Sequence, residues 1–293
     1  MQPFLTRVKD GPVLIADGAM GSFLMERGLR PGEPPESFNL TRPDLLREVA
    51  ELYLDAGAEV VQTNTFGGSA LKLAAYGLDD QTEEINRRAV EAVREAVDGR
   101  AYVSGSCGPS GQMIKPYGEA EPSDVRESFL RQIGALVGAG VDVLCIETMI
   151  DLNEATLAIE AARSISVDIP VMATMTFDAT PRGFHTIMGN DVASAASGLV
   201  EAGADLVGSN CGNGIEVMIE IARAFRSCTD GPLLFQPNAG LPELVDGQVV
   251  YSETPEFMAE KAKELAALGV EVIGGCCGTT PAHTRALRTA LTR

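Results

Sequence analysis

The sequence predicts a single (β/α)8 barrel domain over residues 1–293, and three observations lead to this fold class. The chain has 293 residues, a length that one such barrel commonly occupies. A short motif recurs, with a usually small residue, a glycine, a small residue, an acid and then apolar residues. An amphipathic segment precedes each copy. The copies are Ala56–Val61, Ala139–Leu144, Ala202–Val207 and Leu268–Ile273.

In each copy, the glycine stands where a helix C-cap belongs, and the apolar run is typical of a buried parallel strand. Helix, glycine and strand repeated in this way indicate a barrel, with an open doubly wound sheet as the alternative. Eight strands are expected near Val13–Asp17, Val60–Asn64, Ala101–Ser106, Val143–Glu147, Val171–Thr176, Leu206–Asn210, Leu233–Pro237 and Val270–Gly274.

Helices are expected between these strands, and two of the connections are unusually long. The clearest helical segments are Thr82–Val97, Leu152–Ser164, Val192–Glu201, Ile215–Arg226 and Pro255–Leu268. The long connections, 29–42 and 108–123, are predicted to be functional lids, because long loops in compact domains commonly have that role.

Composition restricts the possible functions. The chain has 23 basic and 41 acidic residues, a net charge of -18, which argues against binding to nucleic acid or an anionic membrane. No apolar run approaches the roughly 20 residues of a membrane span, and the N-terminus lacks the apolar core of a signal peptide. Together with six cysteines, these features predict a cytoplasmic protein whose cysteines are metal ligands or core residues.

Polar residues are concentrated at the predicted carboxyl ends of the strands, where barrels of this class carry their chemistry. Glycines surround Cys276 and Cys277, and two adjacent cysteines can converge on one target only where the chain leaves the strand. With Cys211 they would form a three-cysteine zinc site with one open position, which indicates catalysis. Buried packing cysteines, or a disulfide between Cys276 and Cys277, are the alternatives.

Three thiolates make a zinc centre that is poorly suited to activating water. Such a centre can instead hold an incoming thiol, whose pKa it lowers from about 8.5. Alkylation of a thiol is therefore the chemistry that this ligand set favours, and a zinc hydrolase is disfavoured.

Two carboxylates, Asp17 and Glu147, also end strands. They could act as general acid and base, or form a helix cap or salt bridge. Binding of a substrate ammonium is the preferred interpretation, because methyl transfer to a thiolate needs no further proton transfer. The amides of Gly18 and Ala19 would then be donors for the substrate carboxylate.

Six segments together resemble the homocysteine S-methyltransferase family over nearly the whole chain. A distant cysteine combined with Gly-Gly-Cys-Cys-Gly is the most specific part of the resemblance. The segments are Asp17–Gly21, Thr63–Phe66, Glu147-Thr148, Ser209–Gly212, Pro237–Gly240 and Gly274–Pro281.

The resemblance implies a (β/α)8 barrel with zinc on Cys211, Cys276 and Cys277. It also implies that the sulfur of homocysteine takes the open position, and that the side-chain oxygen of Asn238 can occupy it without substrate. Asp17 and Glu147 would hold the amino group, the turn after Asp17 the carboxylate, and Asn64 is included among the substrate-binding residues.

The methyl donor is the least determined part of the prediction. Gly278–Pro281 and 105–118 resemble the homocysteine module of cobalamin-dependent methionine synthase, so a separate methylated corrinoid protein is the expected donor. One alternative is a small donor, such as S-methylmethionine, S-adenosylmethionine or betaine. The other is a non-catalytic zinc or redox-sensing barrel.

Overall fold

The computed structural model describes residues 1–30, 32–245 and 248–292, so Pro31 of the first predicted lid lies outside the described residues. It contains a sheet of eight parallel strands. In chain order, the strands β1 to β8 are Leu14–Ile15, Val60–Gln62, Tyr102–Cys107, Val143–Met149, Val171–Met175, Leu206–Asn210, Leu233–Gln236 and Val272–Ile273. All eight predicted strands are therefore present.

The sheet closes on itself, which confirms the barrel and rules out the doubly wound alternative. Strand order runs β1-β8-β7-β6-β5-β4-β3-β2. The last gap is closed between β1 and β2, where Ala16 pairs with Val60 and the Asp17 amide donates to the Val60 carbonyl at 3.0 Å.

Eight helices, α1 to α8, surround the strands. They are Pro43–Asp55, Thr82–Val97, Pro122–Gly138, Leu152–Ile165, Val192–Ala202, Ile215–Arg226, Pro255–Ala267 and Pro281–Leu291. Shorter helical segments are Phe4–Asp10, Gly21–Glu26, Pro35–Ser37, Phe38–Thr41, Ala70–Ala74 and Asp79–Gln81. Within the described ranges, no helix combines the length and the apolarity needed to span a bilayer.

Apolar side chains fill the barrel, and a helix that the sequence analysis did not predict closes its lower end, where the strands begin. Phe4–Asp10 places Phe4 and Val8 against the interior residues of the strands. The rings of Phe4 and Tyr102 meet edge to face at 5.3 Å. The lower end is therefore packed with apolar side chains, and the opposite end is the mouth.

The acids of the repeated motif have a structural role at the lower end. Three of them accept a hydrogen bond from a backbone amide of the neighbouring strand, at 2.7–2.8 Å. The amide of Val103 donates to Asp142, that of Val171 to Asp205 and that of Leu233 to Glu271. All four are also paired with arginines, in the pairs Glu59–Arg7, Asp142–Arg94, Asp205–Arg163 and Glu271–Arg226. These bonds tie adjacent strands together below the barrel.

Two hairpins at the mouth were not predicted. The first mouth hairpin pairs Asp178–Thr180 with Gly183–His185. The second mouth hairpin pairs Pro242–Val245 with Gln248–Tyr251 and belongs to the connection between β7 and α7. The predicted lid at 29–42 is partly helical, since it contains Pro35–Ser37 and Phe38–Thr41.

Candidate metal and substrate site

Three cysteines from two strand ends meet at the mouth. The sulfur atoms of Cys211, Cys276 and Cys277 all lie within 4.8 Å of one another, and those of Cys211 and Cys277 are 3.8 Å apart. Zinc–sulfur bonds of about 2.3 Å in a tetrahedral site place the sulfurs about 3.8 Å apart. The three thiols therefore fit a zinc ion, with a fourth position left for another ligand.

The backbone at Cys211 explains how a cysteine from β6 reaches the others. Its φ is 60°, a left-handed conformation that is uncommon for residues other than glycine, and Gly212 follows with φ 75°. The chain therefore turns sharply as β6 ends. On the other side, Gly278 has φ 78°, so the loop that carries Cys276 and Cys277 also depends on a left-handed turn.

The three thiols affect each other's protonation. The pKa of Cys277 is lowered, chiefly because the thiols of Cys211 and Cys276 donate hydrogen bonds to its sulfur. Hydrogen bonds from its thiol to Cys211 and then to Cys277, followed by burial, raise the pKa of Cys276. Tyr251, at the end of the second mouth hairpin, lies beside the cluster, and burial followed by the charge of Cys277 raises its pKa to about 12. The lowered pKa favours a thiolate at Cys277, and a thiolate is the form of cysteine that binds a cation.

The two predicted carboxylates are buried beside this cluster. Asp17 is 2% exposed, and its Oδ2 accepts a hydrogen bond from the Gln62 amide at 2.7 Å. Its Oδ1 has no partner among the residues that the structure describes. Burial, followed by the charge of Glu147, raises the pKa of Asp17 to about 8.

Glu147 is 6% exposed and lies close enough to both Asp17 and Cys211 for their charges to interact with its own. Ser106 Oγ donates to its Oε1 and Asn210 Nδ2 to its Oε2. Burial, followed by the charge of Cys211, raises the pKa of Glu147 to about 7. No lysine or arginine within the described ranges forms an ion pair with Asp17 or Glu147.

Asn210 connects Glu147 to the metal site, a role that the sequence analysis did not assign. Besides Glu147, its Nδ2 is 2.8 Å from Thr148 Oγ1 and 3.9 Å from the sulfur of Cys276. Its Oδ1 accepts from Thr174 Oγ1 at 2.7 Å. The position directly before Cys211 was the available sequence signal, because a strand-end polar residue beside a predicted ligand faces the same mouth.

Other predicted site residues differ in what they offer to a ligand. Asn238 Oδ1 is buried without a partner among the described residues, which makes it a free acceptor at the mouth. The Asn64 amino group donates to Pro35 and Asn39, at 2.7 and 2.8 Å, and braces the lid at 29–42 instead. The Ala19 amide already donates to Thr279 Oγ1 at 3.1 Å, so it is not available to a substrate carboxylate in this arrangement.

Known proteins resemble this chain along nearly its whole sequence. A sequence model of the family described as homocysteine S-methyltransferase matches residues 14–291. Methionine synthases from Mycobacterium leprae and Mycobacterium tuberculosis are each 32% identical, over 96% and 95% of this chain. The chain spans only 24% of the length of each of these relatives.

Solved structures show the same fold. The homocysteine methyltransferase MmuM from Escherichia coli, in its metallated form, superimposes with a TM-score of 0.82. It is 24% identical, and the match covers 98% of this chain and 99% of that one. The oxidised form of the same enzyme gives a TM-score of 0.81.

Proposed function

The chain belongs to the homocysteine S-methyltransferase family, and we propose that it is a zinc enzyme that methylates homocysteine to methionine. The family match confirms the predicted family, and it supports the predicted class of enzyme, a methyltransferase acting on homocysteine. The observation that carries the zinc proposal is the convergence of Cys211, Cys276 and Cys277 beside two buried carboxylates.

Zinc would be held by the three cysteines and would supply one effect, a lowered pKa of the homocysteine thiol, from about 8.5 to below neutral pH. The protein itself positions the sulfur. Asn210 donates to both Glu147 and Cys276, so it fixes the distance between the amino-group site and the cysteine loop. Methyl transfer would then need only the deprotonated sulfur in line with the donor methyl.

Asp17 and Glu147 are proposed to hold the substrate ammonium, since both are buried and neither forms an ion pair with a cation of the residues that the structure describes. The Gly18 amide is the donor left in that turn for the substrate carboxylate, because the Ala19 amide is used by Thr279. Asn238 Oδ1 is a further acceptor at the mouth and remains a proposed substrate contact.

A methylated corrinoid protein is the proposed donor, and an apolar rim around the mouth supports a protein partner. Large apolar side chains are exposed there on three connections that follow strands, and Leu244, for example, is 76% exposed. Scattered apolar residues are ordinary, but a group around one opening is typical of an interaction surface. The rim consists of Met113, Tyr117, Ile187, Leu241, Leu244 and Val249.

The test is methionine formation by the zinc-loaded protein with homocysteine and, in parallel, free methylcobalamin, S-methylmethionine or betaine. Turnover with methylcobalamin supports the corrinoid proposal. Turnover only with a small donor would keep the acceptor chemistry and replace the donor. A Cys276→Ala protein that retained full zinc content and full activity would overturn the zinc mechanism.

A further inference from the structure

Thr279 lies between two loops of the mouth and hydrogen-bonds to both. Its Oγ1 accepts from the Ala19 amide at 3.1 Å and donates to the Cys276 carbonyl at 2.7 Å. The residue is 2% exposed, so both bonds are shielded from water. One hydroxyl therefore joins the turn proposed to bind the substrate's amino-acid end to the loop that carries two of the metal ligands.

Two glycines show how tightly the loops close on this hydroxyl. A Cβ added at Gly18 would lie 2.5 Å from Thr279 Oγ1, and one at Gly275 would lie 2.4 Å from it. Ordinary van der Waals contact begins at 3.4 Å. Glycine is therefore required at both positions by the close approach of Thr279.

Two more bonds hold the same turn in place. The Gly275 amide donates to the Asp17 carbonyl at 2.9 Å. The Tyr53 hydroxyl donates to the Ala19 carbonyl at 2.9 Å. Because the turn is bonded on both sides of Gly18, a shift of the cysteine loop would also move the groups that face the substrate.

We propose that Thr279 is a positioning residue that couples binding of the substrate's amino-acid end to binding of the metal. Occupation of the Asp17–Ala19 turn orders the loop of Cys276 and Cys277, and occupation of the cysteines orders the turn. The coupling is reciprocal, as any equilibrium between two sites must be. This inference rests on the proposed function, because it takes the turn to be the amino-acid site.

The experiment measures zinc affinity, by competition with a chelator, with and without saturating norvaline. Norvaline has the length of homocysteine but no sulfur, so it cannot bind the metal through a thiol. We expect norvaline to tighten zinc binding by the wild type about fivefold or more. Fivefold is the lower end of the change in affinity that is usual between coupled sites. Thr279→Ser should keep this effect and Thr279→Val should lose it.

The control is Thr289→Val, on α8, whose hydroxyl also donates to a carbonyl, that of Arg285, at 2.8 Å but is exposed. It should behave as the wild type. Wild-type zinc affinity unchanged by norvaline, or no binding of norvaline, would overturn the proposal even if Thr279→Val failed to fold. A folded Thr279→Val protein whose zinc affinity rises with norvaline as much as that of the wild type would also overturn the proposal.

Failure of this inference is distinguishable from failure of the proposed function. Methionine formation is measured on the same wild-type preparation. Methionine formed without a norvaline effect contradicts only the coupling. A norvaline effect without methionine from any donor contradicts only the methyltransferase proposal.

Discussion

The two ends of the barrel hold carboxylates in opposite ways. At the lower end, each acid of the repeated motif is paired with an arginine, as Asp205 is with Arg163 at 2.7 Å. At the mouth, Asp17 and Glu147 are more deeply buried, and their pKa values are raised to about 8 and about 7. The lower acids are paired within the protein, whereas the upper pair has no positive partner in the described part of the chain. We infer that the substrate ammonium provides it.

The largest effect is expected at the metal ligands. Cys276→Ala should lose zinc and lower activity more than about a hundredfold. Loss of a residue that only hydrogen-bonds to a metal ligand costs up to about a hundredfold, and loss of a ligand should cost more. Zinc content and methionine formation measure this. Cys228→Ala, at an exposed cysteine remote from the site, is the control and should retain both.

The next largest effect is expected for Asp17→Asn. Removing one carboxylate of the pair should raise the KM for homocysteine about tenfold to a hundredfold, because a charge-assisted hydrogen bond to the ammonium contributes roughly 1.5–3 kcal/mol. Steady-state kinetics at saturating donor measures it. An unchanged KM would show that the ammonium binds elsewhere.

The matched substitution at the lower end, Asp205→Asn, should have the opposite profile. It weakens the ion pair with Arg163 and the bond to the Val171 amide, so stability should fall by about 1–2 kcal/mol, a modest loss because both side chains are partly exposed. Urea unfolding measures the loss, and the KM for homocysteine should stay at the wild-type value. A raised KM would contradict the division of roles between the two ends.

The last expected effect is a pH dependence of stability. The pKa of Asp17 is raised from 3.8 to about 8, so between these values the folded protein binds more protons than the unfolded chain. Its contribution to stability is therefore complete at low pH and is lost as pH rises toward 8. The stability difference between wild type and Asp17→Asn, measured without substrate between about pH 5 and pH 9, should move against the wild type as pH rises. A constant difference would show that Asp17 keeps an ordinary pKa.

The fold could be predicted from local patterns because four helix–glycine–strand units carry the same recurring signal. The same motif contained the acids of the lower end, but their arginine partners are distant in sequence, as Arg94 is from Asp142. The helix Phe4–Asp10 has only seven residues, too few for a clear period. The second mouth hairpin was not predicted, although the sequence has Asp-Gly at 246–247, a pair that is common in hairpins.

The candidate site was predictable where spacing and glycines restrict the path of the chain. It was less predictable where contacts between distant segments determine the hydrogen-bond partner of a residue. Cys211, Cys276 and Cys277 were found from their turns. The Ala19 amide was assigned to the substrate, but Thr279, 260 residues away, binds it. Asn64 was predicted to contact substrate, yet its amino group is used by the lid. Neither contact leaves a local pattern.

The central claim, that the unpaired carboxylates of the mouth await the substrate ammonium, is tested most directly by removing that ammonium. The measurement compares kcat/KM for homocysteine with that for 4-sulfanylbutanoate, which lacks only the amino group. The wild type should prefer homocysteine about a hundredfold or more, Asp17→Asn much less, and Asp205→Asn as strongly as the wild type. Equal values of kcat/KM for the two thiols in the wild type would contradict the account.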